Sequence, residues 1–216
     1  MTEKSQSELE ELHGAVDAYG AFALRMLEES ITALETKDIG LARAVAGRRA
    51  ELKTRFIPVE DAYFQYLALY HPVARDMREC VASIRIIYNL ERIGRMGFDI
   101  AQTTITLTEC CGVADPTALV VMGRRVTGMI GDALGAFRER SPIRIADMSE
   151  RDKEIDSLYC SVMAGYIRQM QNQKDIVPIL TRFVIIDRYL ERCGDQACNM
   201  AEMIVYMVTG ERVEIR

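Results

Sequence analysis

The chain is predicted to be all-α, built as two tandem, pseudo-symmetric three-helix bundles over residues 7–108 and 115–211. Three observations lead there. Only 5 Pro and 14 Gly occur in 216 residues, with no Trp, so long stretches run free of helix breakers. Those stretches carry apolar residues at helical spacing. In addition, Leu90-Glu91-Arg92-Ile93-Gly94 recurs as Leu190-Glu191-Arg192-Cys193-Gly194, an offset of 100 residues.

The first helix is expected from about Ser7 to Glu35, where Leu9, Leu12, Val16, Tyr19, Phe22, Leu27, Ile31 and Leu34 form one apolar stripe. Asp38 is the candidate N-cap of a second helix that continues to about Tyr70. Pro72 sits in the first turn of a third, Val73 to Leu107, where a missing N–H removes no bond. Thr108–Asp115, with Cys110, Cys111 and Gly112, is the expected junction between halves. Asp115-Pro116 opens a fourth helix to Arg138, and Ser141-Pro142 a fifth to Gln171. The sixth begins at Asp175, with Pro178 in its first turn, and stops at Gly210. Helices of ~30 residues are ~45 Å long, which suits an elongated bundle. Shifting the second helix by 103 residues lays Arg49–Lys53 over Asp152–Asp156 of the fifth, so each half repeats one helix order.

A net charge of −5 and a pI near 5.3 argue against nucleic-acid binding. No apolar run approaches the ~20 residues of a membrane span, and the opening MTEKSQSELEEL does not read as a signal peptide, so a cytoplasmic protein is expected. The 6 cysteines include no CxxC and are expected to be free thiols. Cys193 and Cys198 lie about 140° apart on a helix and cannot chelate one ion.

Within IIDRYLERCGDQACNMAE, Asp187, Glu191, Asp195 and Asn199 fall at steps of four and share one helix face, opposite the apolar Leu190, Ala197, Ala201 and Ile204. Stacked acids repel by a few tenths of a kcal/mol per pair, so the arrangement suits a positive partner, either a basic segment or a cation.

Both halves carry segments that resemble the PhoU family of phosphate-uptake regulators. His71-Pro72-Val73-Ala74-Arg75-Asp76-Met77-Arg78 is similar to its QPVARDLR stretch, and the two L-E-R-x-G copies are similar to its DLERIGD. Val208-Thr209-Gly210-Glu211 resembles its terminal helix end. The resemblance implies a non-enzymatic cytoplasmic regulator acting with a phosphate ABC transporter ATPase and/or a phosphate-sensing histidine kinase, with a homodimer among the expected assemblies. It also implies metal sites on ExxxD motifs. In the second half Glu191 and Asp195 form that motif, Asp152 and Asp156 a second acidic pair, and Asn199 and Asp187 further oxygen donors. An all-oxygen set selects hard cations such as Mg, Mn, Ca or Fe.

The first half departs from the pattern. It has Arg49, Lys53 and Arg95 where the second has Asp152, Asp156 and Asp195, and Asn89 where the family has Asp. Arg95 lies one turn from Glu91 and from Asp99, so the bases are expected to stand in for a cation at this degenerate site.

Arg75, Asp76 and Arg78 are either a capping cluster at a helix start or a partner-docking patch. One E-x-x-H, Glu10 to His13, lacks the second copy that a di-iron bundle requires and is expected to be incidental. His71 is expected to be a turn residue. No phosphate loop, Ser–His–Asp set or Cys–His pair is visible. Two alternatives to the regulator stand: a carboxylate-bridged metalloenzyme of ferritin-like chemistry, and a metal-independent helical scaffold whose acidic face binds a basic partner segment.

Overall fold

The computed structural model describes residues 3–111 and 114–215, with the side chains of Cys110 and Cys111 outside that description. Its helices are α1 (Glu3–Thr36), α2 (Ile39–Gly47), α3 (Arg49–Tyr70), α4 (Ala74–Thr106), α5 (Thr117–Glu139), α6 (Met148–Asn172) and α7 (Val177–Thr209). No strand occurs among the described residues. None of the described helices is long and apolar enough to cross a membrane.

The start and stop chemistry is largely local. Asp38 accepts from the Leu41 amide at 3.0 Å and caps α2. Asp115 accepts from the Thr117 amide at 3.0 Å just ahead of α5. Pro178 lies in the first turn of α7. Gly210, at φ 83°, is the left-handed cap that ends it, its N–H bonded to the Tyr206 carbonyl at 2.9 Å.

Three boundaries differ from expectation. The second helix is broken at Arg48, which follows Gly47 and turns its N–H to the Val45 carbonyl at 3.0 Å, a tighter turn than the α-helix makes. Pro72 falls in a linker rather than in the helix. His71 takes the left-handed cap of α3 at φ 45°, and α4 begins only at Ala74. Ser141 caps a short 3-10 turn, Pro142–Ile145, instead of α6 itself. The expected junction is partly helical, because a π-helical turn, Leu107–Cys111, extends α4; Gly112 lies outside the described residues.

Each half packs three helical segments, α1 with α2–α3 and α4, then α5, α6 and α7. The halves are joined by α1 against α5 and by α4 against α7. Along the second seam Met96 Sδ meets Cys193 Sγ at 3.8 Å, and Arg85 reaches Met203, so residue numbers run in opposite directions. The repeat register is visible in the packing. A Cβ on Gly94 would strike Leu52, and one on Gly194 would face Ile155, so the offsets of 100 and 103 read from the sequence place equivalent groups in contact. Leu90, Ile93, Leu190 and Cys193 of the repeated motif are buried beneath. So are Ala197, Ala201 and Ile204, the apolar face expected of α7.

Candidate functional site

The last helix carries its polar ladder obliquely. Four residues advance about 40° around an α-helix, so the ladder drifts as it climbs. Asp187 is fully buried, Glu191 half-buried, and Asp195 and Asn199 exposed. The drift separates one member from the set. Asp152, Asp156, Glu191, Asp195 and Asn199 line a single groove of about 370 Å³ between α6 and α7, edged by Glu202 and Ile215. Asp187 does not line it, which corrects its expected place among the oxygen donors. Both Asp187 oxygens are buried without a hydrogen-bond partner, and burial, then the nearby Glu191 charge, pushes its carboxyl up to about 7.

Carboxylates crowd the acidic groove. Burial raises the Glu191 carboxyl above its ordinary range, and Asp195 and Asp156 push the same way against Arg188. Arg188 binds one Glu191 oxygen at 2.6 Å, while the other oxygen is buried and unpartnered. Asp152, buried beside Gly194, also raises the Cys198 thiol once burial has done most of that work. The donor chemistry therefore fits a hard cation. The side chains nevertheless stand apart, and among the described residues no three His, Cys, Asp or Glu side chains converge as a metal-holding group. Such an ion would have to draw Glu191 and Asp195 together from the groove walls.

The corresponding groove of the first half, about 830 Å³, is lined by Arg49, Lys53, Glu91 and Arg95. Arg95 donates to Glu91 at 2.7 Å, and the Arg49 guanidinium stacks over Phe98 at 4.5 Å. Asp99 lies outside this groove. Burial raises its carboxyl, while Arg49 and then Arg95 oppose the rise. It lines instead a third hollow of about 340 Å³ on the α4–α7 seam, shared with Arg92, Arg95, Tyr189, Arg192 and Gln196.

The Arg75, Asp76 and Arg78 cluster is divided by the fold. Arg75 is exposed and Asp76 half-buried, whereas Arg78 lies against the end of α7 beside Gly210, its Nε buried. Sequence reasoning missed a buried network at the opposite seam. Glu79 is 4% exposed and accepts from His13 Nδ1 at 3.1 Å and from Arg140 at 2.7 Å; Arg140 also reaches Glu10 at 2.8 Å. Because a carboxylate only accepts, His13 must carry its proton on Nδ1. His13 also stacks on Phe137 at 4.0 Å. Glu10 and His13 both belong to this network. The available signal was an acid at position 79 on the stripe of Ser83, Ile86 and Leu90.

The free cysteines among the described residues are Cys80, Cys160, Cys193 and Cys198.

Comparison with known proteins bears on this geometry. The PhoU domain matches residues 16–104 and again 119–204. A phosphate-specific transport system accessory protein PhoU homolog of Clostridium acetobutylicum is 30% identical over 211 residues, covering 97% of this chain and 96% of that one. Its counterpart in Caulobacter vibrioides is 31% identical over 95% of this chain and 90% of its own length. Among solved structures, PhoU from Pseudomonas aeruginosa superposes with TM-score 0.91 at 26% identity, covering 95% and 99% of the two chains. The phosphate transport system regulatory protein PhoU from Streptococcus pneumoniae does so with TM-score 0.89 at 28% identity, covering 97% and 99%.

Proposed function

We propose, for a chain that belongs to the PhoU family, that it is a non-catalytic cytoplasmic regulator of phosphate uptake and phosphate-responsive signalling. It acts by contact with a phosphate ABC transporter ATPase and/or a phosphate-sensing histidine kinase, and it holds a hard cation in its second half alone. The names of its relatives, accessory proteins of a phosphate-specific transport system, support the regulatory part. The observation that carries the site is the contrast between matched grooves. Asp152, Asp156, Glu191 and Asp195 line one, while Arg49, Lys53 and Arg95 stand at the corresponding positions of the other.

Glu191 and Asp195 would be the principal ligands, from one helix at i and i+4, with Asp152 and Asp156 facing them from α6. A bound cation would supply positive charge that relieves carboxylate repulsion. In the first half Arg95 does this for Glu91 without an ion. Arg75 and Asp76, at the start of α4, are candidate partner contacts.

The test is elemental analysis of freshly purified protein, followed by thermal unfolding with Mg²⁺, Mn²⁺ or Ca²⁺ in the intact chain and in Glu191→Ala/Asp195→Ala. Added cation should raise the intact chain's midpoint and leave the variant's unmoved, while Glu91→Ala keeps the full response. A chain that never binds metal, with unchanged behaviour of the double variant, would assign the acidic groove to a basic partner segment instead. Co-purification with a transporter ATPase or sensor kinase separates regulation from catalysis.

A further inference from the structure

The hollow on the α4–α7 seam is built by the same motif that names the repeat. Arg92 and Arg192 are the third residues of the two L-E-R-x-G copies, and the antiparallel crossing of α4 and α7 brings both to one hollow on the seam. Arg95 joins them as a third guanidinium, partly engaged by Glu91 at 2.7 Å. Neither Arg92 nor Arg192 makes a hydrogen bond or ion pair among the described residues, so their donors are available. The three guanidiniums outnumber the single carboxylate of the lining, Asp99, and planar guanidinium forks match tetrahedral oxyanions. The walls also contain acceptors. Gln196 is 8% exposed, and its amide oxygen is buried without a partner. Asp99 contributes a carboxylate.

From this arrangement we infer that the seam hollow binds a protonated phosphoryl anion, its oxygens held by Arg92, Arg192 and Arg95, and its P–OH donating to Asp99 or Gln196. Phosphate near neutral pH carries both acceptor oxygens and a hydroxyl donor, whereas sulfate is fully deprotonated and carries no donor. Three guanidiniums therefore attract either anion, and the acceptors discriminate. A donor-less anion would leave the buried Gln196 oxygen unsatisfied and face Asp99 directly, which selects against it. A volume of about 340 Å³ has room for one such group and a few waters. The hollow shares Gln196 with the acidic groove but none of that groove's carboxylates, and it does not rest on a cation being held there. It would give a phosphate regulator a point at which phosphate concentration alters the contact between its two halves.

The test is calorimetric titration of the chelator-treated full chain with inorganic phosphate, sulfate and O-phosphoserine at low salt. Chelation removes any metal-bridged phosphate, so the outcome bears on the seam and not on the cation site. Phosphate should bind at least tenfold more tightly than sulfate. Arg92→Ala/Arg192→Ala should weaken it at least tenfold, and Arg92→Lys/Arg192→Lys should recover part of the loss, since charge remains while the fork is gone. Asp99→Asn should shrink the preference over sulfate. Circular dichroism of each variant establishes that it is folded. Near neutral pH most O-phosphoserine carries no P–OH, so its binding where phosphate fails to bind would overturn the assignment of that hydroxyl to Asp99 or Gln196. No binding of any of the three anions, equal affinity for phosphate and sulfate, or full affinity in the folded double alanine variant would overturn the inference.

Discussion

Two buried carboxylates show how neighbours decide what an acid does. Burial by itself would raise the Glu79 carboxyl, but hydrogen bonds from His13 and Arg140 outweigh it and hold the group below the usual range. Its contribution to stability is therefore present above the ordinary carboxylate value and lost as pH falls through the lowered one. Glu79→Gln should destabilise the chain at pH 7 by about 2–4 kcal/mol, because Arg140 is left without its buried partner. In urea unfolding the gap between the two proteins should close below about pH 4. Asp187 has the opposite sign. Nothing hydrogen-bonds it, and its carboxyl is raised to about 7. The folded chain then holds a proton that the unfolded chain releases, so stability should rise on acidification from pH 8 to 5, by at most roughly 3 kcal/mol. Asp187→Asn should be the more stable protein at pH 8 and should lose that slope. Denaturant midpoints of both proteins across this range, measured in chelator, check the sign.

At the scale of elements, the decisive contact is between α1 and α4, which approach closely only because one residue has no side chain. A Cβ on Gly97 would stand 3.0 Å from the Leu27 amide nitrogen and from the Met26 carbonyl carbon. Alanine is the better helix former by about 1 kcal/mol, so an unconstrained Gly97→Ala would stabilise. Here the obstacle is backbone, which cannot rotate aside as a flexible side chain can, and forced overpacking costs about 1–3 kcal/mol. Gly97→Ala should lower the thermal midpoint, a result that propensity alone would predict with the wrong sign. The helix limits were legible where capping is local, at Asp38, Pro178 and Gly210. They were not legible at Arg48 or between Ile145 and Met148, where the break is a change of hydrogen-bond register within a helical run.

Across the whole molecule, the two halves behave as one body rather than as beads on a string. Arg138 grips Asp17 with two bonds of 2.9 Å, Arg124 grips Glu35, and Arg140 reaches Glu79, all between α5 or the residue that caps it and the first half. The exposed pairs contribute only a few tenths to 1 kcal/mol each. The continuous core does more, with Met96 and Cys193 touching across the α4–α7 seam and Ile31 pressed against Gly123 across the other. Unfolding is expected to be a single cooperative transition, with coincident midpoints by far-ultraviolet circular dichroism and tyrosine fluorescence. Two separated transitions would mean that the halves melt independently.

The sequence by itself determined the helical class, the repeat and its register, and the charge swap between matched positions, because helical periodicity, capping and internal similarity are properties of the chain read locally. It could not say which side chains of different helices meet. The angular drift that buries Asp187 while exposing Asp195, the convergence of Arg92 and Arg192 on one hollow, and the enclosure of Glu79 by His13 and Arg140 all depend on how helices cross. Crossing is set by packing between residues as much as 118 or 121 positions apart, and only the tertiary structure fixes it.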